Sequence, residues 1–445
     1  MKADFTRETF NAAKHYYRVL MQQGRVQLDA DWNEQAAITL HRLEMLARDL
    51  IGPFGTPASS PGFSILDQNA DGTPFVGNFA IGAGRLYVDG LLCENDELTT
   101  YSALGQDPVL KTGRTYLVFL DVWEQYVSAI EDSSIEEPAL GGADTAGRSR
   151  IQWQVRAAEV DPKTTTADFD LKNEKNTWDA FVLNVRPENR GLLKARAPTP
   201  LDTVDSPPQT AASVSQYRGA ENQLYRVEIH EPGVAGTSTF KWSRENGSVF
   251  YAIKSGTKEM VTLASSGRDE RLRLKADDWV ELLDSVSAAR NLPGPLLRVT
   301  FVDAMKRQVS LHGGDEYGSN ADYRFLRRWD SKPGPGGKAG AIPISESNKH
   351  NSGWVPIEDG IEVQFQAAPS HNAHHYNSGD YWLIPARVAT SGIEWPTSHH
   401  GPEALPPAGI RHSYAPLALI SLDGAGIVRV NDRDCRALFF PLLKV

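Results

Sequence analysis

The sequence predicts a mainly β protein, built of several antiparallel sandwiches or barrels and preceded by an N-terminal amphipathic helix. Three observations lead to this fold class. Short apolar segments with strand-like patterning recur beyond residue 55, Asp-Gly and Asn-Gly dipeptides stand between some of them, and one stretch repeats apolar residues at helical spacing. A chain of 445 residues is too long for one ordinary core, so several domains are expected.

The helix is predicted from Asp31 to Ile51, where Gly52-Pro53 ends it. Its apolar positions are spaced by 4, 4, 3, 4 and 3 residues and form one stripe: Trp32, Ala36, Leu40, Leu43, Ala47 and Leu50. A single stripe needs a partner. We therefore expect Trp32, Leu40, Leu43 and Leu50 to pack against this chain's own β-domain or against a neighbouring subunit.

The stretch QQGRVQLDADWNEQ (22–35) places Asp29, Asp31 and Glu34 around Trp32. Three carboxylates beside an indole suit a metal cluster, a sugar-hydrolysing cleft or the start of a helix. Asp31 followed by Glu34 has the spacing of a capping box, with Asp in place of Ser or Thr. Both carboxylates also favour the positive end of the helix dipole. A helix cap formed by Asp31 and Glu34 is the favoured interpretation.

The first 30 residues contain aromatic side chains without a clean period: Phe5, Phe10, Tyr16 and Tyr17. This pattern predicts an extended or loosely structured arm that becomes ordered by docking on a partner subunit.

The rest of the chain has the pattern of short strands and turns. Asp89-Gly90 and Asn246-Gly247 each predict a hairpin. Residues 114–127 read as a buried strand, and the polar, Pro-rich stretch 161–220 reads as a linker or surface arm. These signals divide the chain into an arm and helix, a first β-domain with long polar loops, a small barrel-like β-domain and a C-terminal β-domain, at 1–56, 57–222, 223–315 and 316–445.

Composition argues against several function classes. The net charge is −10 without a basic stripe, which disfavours nucleic acid and anionic membranes as partners. We expect no signal peptide and no membrane insertion. Cys93 and Cys435 are expected to behave as small buried hydrophobes. HExxH, GxSxG, Walker A and CxxC motifs are absent from the sequence. We therefore predict a protein that is not an enzyme, with no cofactor.

Two residue clusters could still carry chemistry. Six histidines lie in loop-like sequence between 371 and 412, namely His371, His374, His375, His399, His400 and His412. They could bind zinc, but their spacing matches no helix-based ligand pair, so a solvated loop is favoured and no metal site is predicted. Trp123, Trp153 and Trp382 could form a sugar platform, although their apolar or alternating strands favour core packing.

Four stretches resemble one family: RVLMQQGRVQLDADWNEQ (18–35), LDVWEQYVSAIEDSSIEEPALGGADTAGRSRIQWQVR (120–156), TFKWSRENGSV (239–249), and GDYWLIPARVATSGIEWP (379–396) with GIRHSYAPLALI (409–420). They are similar to an uncharacterised domain family whose genes occur among those for contractile injection systems and phage-tail-like particles. The resemblance runs over nearly the whole chain in the same order, and it supplies no catalytic residues.

The resemblance implies a structural, baseplate-associated component of such a particle. Its partners would be baseplate, sheath or tube proteins, with this chain present as a symmetric homo-oligomer. It would assemble in the cytoplasm and leave the cell as part of the particle. The alternative is an envelope-targeting carbohydrate-binding module or glycan hydrolase at the particle tip. A cleft with paired carboxylates would favour that alternative.

Overall fold

The computed structural model describes residues 1–105, 108–170, 173, 176–186, 191–198, 216–257, 259–313, 322–333, 340–349, 352–368 and 373–440. It is mainly β, with 38% of the residues in strands and 13% in helices. The predicted fold class is confirmed, including the N-terminal helix.

The α-helices are α1 (Asp29–Ile51), α2 (Trp178–Val185) and α3 (Ser285–Arg290). Short 3-10 turns lie at Ala12–Lys14, Ser133–Ile135, Pro138–Leu140 and Thr166–Phe169. Helix α2 falls in the stretch 161–220, where a linker was expected. It forms because Trp178 and Phe181 stack with ring centroids 5.5 Å apart and pack into a core, which adds tertiary stability to an eight-residue helix.

The strands, in chain order, are β1 (Phe54–Pro57), β2 (Ile65–Leu66), β3 (Ala80–Ile81), β4 (Gly84–Val88), β5 (Leu91–Asn95), β6 (Thr99–Thr100), β7 (Thr115–Val127), β8 (Arg148–Val160), β9 (Leu193–Arg196), β10 (Gln223–Ile229), β11 (Thr239–Ser243), β12 (Phe250–Gly256), β13 (Met260–Leu263), β14 (Trp279–Leu283), β15 (Leu296–Asp303), β16 (Gln308–His312), β17 (Phe325–Trp329), β18 (Ile342–Pro343), β19 (Val355–Pro356), β20 (Glu362–Phe365), β21 (Tyr381–Arg387), β22 (Gly392–Ile393), β23 (Thr397–Ser398), β24 (Gly401–Pro402), β25 (His412–Leu422), β26 (Val428–Asp434) and β27 (Leu438–Phe439).

The chain divides into two compact units, and both are discontinuous in sequence. The barrel unit comprises Met1–Glu8, Tyr126–Ser149 and Glu188–Ile410. The helix unit comprises Thr9–Gln125, Arg150–Pro187 and Arg411–Val445. The sequence analysis expected four domains, each formed by one continuous stretch of the chain. In the structure, each unit is formed by segments that are distant in sequence.

In the described part of the helix unit the strands form three sheets, with strand orders β27-β1-β4-β5, β2-β3-β6 and β26-β25-β7-β8. Strand β7 is buried along most of its length, as its apolar run predicts, and it pairs antiparallel with β25. The Asp89-Gly90 hairpin between β4 and β5 is confirmed. Both residues have positive φ, 49° and 87°, as a type I′ turn requires.

The barrel unit contains a closed barrel with strand order β12-β13-β16-β15-β14-β17. Beside it in sequence lie a five-stranded sheet, β18-β11-β10-β21-β22, and the smaller sheets β19-β20-β9 and β23-β24. The barrel runs from Phe250 to Trp329, so it begins and ends later than the predicted 223–315. Strand β17 completes the barrel from beyond the predicted boundary by pairing with both β12 and β14.

The predicted hairpin at Asn246-Gly247 is wrong. The two residues do form a turn, with φ of 51° and 66°. However, β11 before the turn pairs with β10 and β18, and β12 after it pairs with β13 and β17. The chain therefore passes from the five-stranded sheet into the barrel at this point, because each strand finds a better-matched partner elsewhere than in the other.

Candidate functional site

Helix α1 begins two residues earlier than predicted. Its N-cap is Leu28, whose extended backbone carries no side-chain capping hydrogen bond. Asp29 and Asp31 both lie in the first turn, where their carboxylates still meet the positive end of the helix dipole. Glu34 accepts a hydrogen bond from the Thr9 hydroxyl at 2.6 Å. The prediction that Asp31 and Glu34 cap the helix is therefore wrong, because Asp29 and Ala30 already have helical conformation.

The apolar stripe of α1 faces away from the chain's own core. Ala30 and Ile38 are the buried residues of the helix. The four predicted packing residues are largely exposed: Trp32 at 79%, Leu40 at 50%, Leu43 at 57% and Leu50 at 63%. The prediction that these side chains pack against the chain's own β-domain is therefore wrong, because the opposite face of the helix makes that contact. Contact with a neighbouring subunit stays a prediction.

The β4–β5 hairpin holds the inner face of α1. A Cβ on Gly90 would lie 2.2 Å from the Glu44 carbonyl oxygen, so the turn approaches the helix as closely as only glycine allows. Arg48 of the helix meets the Asp89 carboxylate at 3.7 Å. The hairpin therefore fixes the orientation of α1 within the helix unit and leaves the Leu43 side of the helix outward.

The N-terminal arm has a 3-10 turn at Ala12–Lys14 and a second turn at Gln23-Gly24, where the amide of Arg25 donates to the Gln22 carbonyl oxygen at 3.3 Å. Between residues 11 and 29 every side chain is exposed except the half-buried Val19. The arm is tied to α1 by the amide of Val19, which donates to the Gln35 side chain at 2.8 Å, and by the Arg42 guanidinium over the Tyr17 ring. Residues 1–8 belong instead to the barrel unit, and docking of the arm on a partner subunit stays a prediction.

Of the four aromatic residues predicted in the docking arm, Phe10, Tyr16 and Tyr17 are exposed. Phe5 is half-buried against the ring of Tyr126 and belongs to the barrel unit. Together with α1, the arm forms what we call the arm–helix surface, a set of exposed apolar side chains in the helix unit: Tyr16, Tyr17, Leu20, Met21, Trp32, Leu40, Leu43, Leu46 and Leu50. Exposed apolar residues concentrated in this way are typical of protein–protein contacts.

A buried ion cluster lies in the barrel unit, and the sequence analysis did not identify it. Arg226 and Glu228 stand two residues apart on β10 and therefore share one face of the sheet. Lys241 on β11 and Glu281 on β14 meet them, with Lys241 Nζ 2.6 Å from Glu281 Oε1 and 3.6 Å from Glu228 Oε1. All four side chains are almost completely buried.

The N-terminus of the chain completes this cluster. Lys2 Nζ lies 3.0 Å from Glu228 Oε1. Burial lowers the pKa of Lys2 to about 8, although Glu228 acts in the opposite direction. Burial by itself raises the pKa of Glu228, but the charges of Lys2, Arg226 and Lys241 outweigh it and hold that pKa well below its ordinary range. Glu228 is therefore ionised at neutral pH.

His230 belongs to the same cluster and is neutral at pH 7. Burial and the neighbouring Lys241 lower its pKa to about 4. Its Nδ1 lies 3.3 Å from Lys241 Nζ and accepts a hydrogen bond from that ammonium group. The interaction of His230 with Glu281 at 3.9 Å is consequently not an ion pair at neutral pH.

The histidines predicted as possible zinc ligands do not share one carboxylate. His374 meets Glu346 at 3.2 Å, and His412 meets Asp121 at 2.6 Å. His371 lies outside the described residues. Among the residues that the structure describes, no group of three or more His, Cys, Asp or Glu side chains could hold a metal ion.

The tryptophans weighed as a sugar platform lie in cores. Trp123 and Trp382 are each 2% exposed. Trp153 is half-buried, packs edge-on against Phe63 and donates its indole N–H to the Glu94 carbonyl oxygen at 2.9 Å. The favoured interpretation as core residues agrees with this packing. Cys93 is also buried, and Cys435 is half-buried; both are free thiols.

One cleft of about 540 Å³ lies in the helix unit between β8 and α2. Its lining includes the apolar Phe119 and Phe181 and the carboxylates Glu159 and Asp161. Glu159 is ion-paired with Arg114 at 3.1 Å and is exposed. Glu159 and Asp161 lie two residues apart in the chain at the end of β8.

Comparison with known protein families matches residues 1–180 and 161–442 to a family of unknown function, DUF6519. The chain belongs to this family. No curated protein and no solved structure matches the chain. Membership of DUF6519 agrees with the uncharacterised domain family that the sequence resembles. None of the helices within the described parts of this DUF6519 protein is long and apolar enough to span a membrane.

Proposed function

We propose that this DUF6519 protein is a structural component of a contractile injection system or phage-tail-like particle, associated with the baseplate. It assembles in the cytoplasm and then forms part of the particle. Its partners are other particle subunits, such as baseplate, sheath or tube proteins, and it is present as a symmetric homo-oligomer. The observation that carries this proposal is the arm–helix surface.

The chemistry of the arm–helix surface favours a protein partner. The exposed stripe of α1 repeats at helical spacing over 19 residues, from Trp32 to Leu50, as in helices that pack against another protein chain. The exposed leucines lie on one face of α1, and the buried Ile38 lies on the other face. The helix therefore has one apolar face in contact with its own unit and a second apolar face in solvent. Burying a fully exposed leucine side chain contributes about 1.5–3 kcal/mol. Leu40, Leu43 and Leu50 are 50%, 57% and 63% exposed, so each can contribute part of that to a contact.

The arm supports the same proposal. An extended segment with exposed aromatic residues gains order and buried area only when it lies on another surface. Genes of the resembling family occur among those for contractile injection systems and phage-tail-like particles. Such particles are built from repeated subunits, and each repeat needs contacts of this kind.

The second candidate is an envelope-targeting carbohydrate-binding module or glycan hydrolase at the particle tip. It rests on Trp32, an exposed indole one residue from Asp31. Exposed aromatic rings beside carboxylates suit sugar binding. Trp32 also continues the leucine stripe, which favours the protein contact over the sugar site.

The test is to purify the intact particle, identify its subunits by mass spectrometry and locate this chain by cryo-EM. A triple variant of this chain carries Leu43→Gln, Leu46→Gln and Leu50→Gln, because glutamine keeps helix propensity while removing three apolar side chains of the arm–helix surface. The matched control is Met305→Gln in the barrel unit, where the side chain is 97% exposed. We expect the triple variant to be folded but absent from the particle, and the control to be incorporated normally. Normal incorporation of the triple variant would contradict the proposal.

A further inference from the structure

Strand β8 lies at the edge of its sheet. In the described part of the chain it ends the strand order β26-β25-β7-β8, with β7 as its neighbour on one side. The strand is 13 residues long, from Arg148 to Val160. An edge strand presents a row of backbone N–H and C=O groups to whatever lies beside it. The outer side of β8 is therefore a candidate contact surface.

The cleft of about 540 Å³ meets β8 at this edge. Six consecutive residues of the chain line it, from Arg156 to Asp161. Because successive side chains of a strand point to opposite faces, a cleft on one face of the sheet would be lined by alternate residues only. The consecutive lining places the cleft beside the backbone of the strand.

Helix α2 and its N-cap form the opposite wall of the cleft. The residues of this wall are spaced by 3, 1, 3 and 1 positions, so they lie on one face of the helix: Thr177, Ala180, Phe181, Asn184 and Val185. The small side chain of Ala180 leaves room between the helix and the strand. A strand edge that faces one side of a helix is an arrangement in which an extended peptide can add a strand to the sheet.

The apolar part of the cleft lies on one face of β8. The Arg156 guanidinium lies over the Phe119 ring, 5.7 Å from its centroid, and the Phe119 ring packs edge-on against Phe181 of α2. Arg156 is therefore on the α2 side of the sheet. By strand alternation Ala158 and Val160 share that side, and both pack against the core that contains Phe119. A strand beside β8 would direct every second side chain toward α2, where apolar side chains fit.

Charges of opposite sign lie at the two ends of the cleft. The Arg156 side chain at one end is 31% exposed and has five N–H donors. Glu159 and Asp161 at the other end are exposed, and the Lys163 amide donates to Asp161 Oδ1 at 2.8 Å, which fixes that carboxylate in a turn. The two ends are about 17 Å apart along an extended strand. An antiparallel segment is complementary to these charges if it carries a basic side chain opposite Asp161 and an acidic one opposite Arg156.

We propose that the cleft between β8 and α2 binds an extended segment of a partner protein, which adds a fifth strand to this four-stranded sheet, antiparallel to β8. The segment carries apolar side chains at alternate positions, a basic residue at the Asp161 end and an acidic residue at the Arg156 end. Backbone hydrogen bonds to β8 supply affinity, and the apolar positions and the charges supply specificity. This inference goes beyond the proposed function, because it concerns a surface other than the arm–helix surface and is tested on the purified chain.

The probe is a capped, fluorescein-labelled hexapeptide with the sequence lysine, valine, lysine, valine, threonine and glutamate, titrated with the full chain. Antiparallel pairing of its first residue with Asp161 places its last residue opposite Arg156 and directs both valines toward α2. We expect saturable binding, at least tenfold tighter than that of a peptide with the same composition in scrambled order. Methylation of every amide nitrogen inside the peptide should also weaken binding at least tenfold, because the methylated backbone cannot donate hydrogen bonds to β8.

Three variants of the chain connect binding to the cleft. Ala180→Arg fills the cleft from the α2 wall and should weaken binding at least tenfold. The matched control is Leu183→Arg on the same helix, where the side chain is 52% exposed and lies outside the cleft lining, and binding should be unchanged. Asp161→Asn keeps the turn, because an asparagine side chain can also accept the Lys163 amide, and should weaken binding at least threefold. Thermal melts confirm that each variant is folded.

The proposal is overturned if the peptide does not bind at concentrations up to about 1 mM. It is also overturned if the parent and the Ala180→Arg chain bind the peptide equally well. Equal binding of the methylated peptide would overturn strand addition and would assign the cleft to apolar side chains alone.

Discussion

The ammonium nitrogen of Lys2 lies 3.0 Å from a carboxylate oxygen of Glu228, and the two side chains are only 11% and 2% exposed. Glu228 also meets Arg226 Nε at 2.6 Å and Lys241 Nζ at 3.6 Å. One carboxylate therefore contacts three buried cations, of which Lys241 also pairs with Glu281 at 2.6 Å. Its removal leaves more uncompensated charge in the barrel unit than the removal of any single cation does.

This relationship predicts an asymmetry between two substitutions. Glu228→Gln keeps the shape of the side chain and should lower the free energy of unfolding by about 3–5 kcal/mol, because it strands buried positive charge. Lys2→Met should cost clearly less, since Glu228 keeps Arg226 and Lys241. Urea unfolding followed by tryptophan fluorescence measures both changes. Equal destabilisation by the two variants would contradict the proposed role of Glu228 as the shared anion.

The lowered pKa of His230 predicts that the stability of the protein depends on pH. Its pKa is lowered to about 4 in the folded protein, against an ordinary value of 6.5, by burial and by Lys241. Between these values the unfolded chain binds more protons than the folded one, so the free energy of unfolding falls as the pH drops from 6.5 toward 4. The maximum slope from this single group is about 1.4 kcal/mol per pH unit.

His230→Gln removes this titration and should flatten the pH profile of stability within that window. Thermal melts of the parent and the variant at several pH values between 7 and 4 provide the comparison. The groups that face His230, namely Lys241, Glu281, Glu228 and Lys2, are present in both proteins and act as an internal control. Parallel profiles for the two proteins would contradict a lowered pKa of His230 in the folded protein.

The sequence was informative where the signal is local. The spacing of Trp32, Leu43 and Leu50 identified the amphipathic helix, and Asp89-Gly90 identified a hairpin whose strands pair with each other. A periodic stripe, however, does not say which surface covers it. Ala30 and Ile38 face the core in the structure, because two small or medium apolar residues suffice where the hairpin turn approaches closely.

The sequence was uninformative where pairing is long-range. Strand β25 pairs with β7 nearly 300 residues away, with His412 opposite Trp123, and no local pattern encodes that choice. Arg226 and Glu228 alternate with Val227 and Ile229, which is the pattern of a half-exposed strand. They are buried because Lys241 on β11, Glu281 on β14 and Lys2 bring charges of both signs to the polar face. A sequence pattern shows that a face is charged but does not show what covers it.

Leu28 offers a stabilising substitution that follows from the corrected helix start. Leu28 is the N-cap of α1, with extended φ and ψ of −110° and 147° and no capping side chain. Leu28→Ser places a hydroxyl where it can accept a hydrogen bond from the first turn, so the free energy of unfolding should rise by about 1 kcal/mol. Asp31→Ala should cost only about 0.3–1 kcal/mol, because Asp31 acts through the helix dipole. Thermal melts test both, and a larger effect of Asp31→Ala than of Leu28→Ser would restore a capping role for Asp31.

Substitution of two tryptophans distinguishes an effect on folding from an effect on assembly. Trp123 is 2% exposed and stacks on His412, whereas Trp32 is 79% exposed on α1. Trp123→Ala should lower the free energy of unfolding by about 3–5 kcal/mol through lost burial and the cavity left behind. Trp32→Ala should change it by less than about 0.5 kcal/mol, as surface substitutions usually do.

The same pair decides between the two candidate functions. If α1 contacts another particle subunit, Trp32→Ala reduces incorporation into the particle, and neither the parent nor the variant binds cell-wall glycans. If Trp32 is a sugar platform, the variant is incorporated normally and the parent binds glycans that the variant does not. Incorporation measured by mass spectrometry and glycan pull-down on one set of purified proteins distinguish these outcomes. We expect loss of incorporation, because Trp32 continues a stripe of leucines that a sugar site would not need.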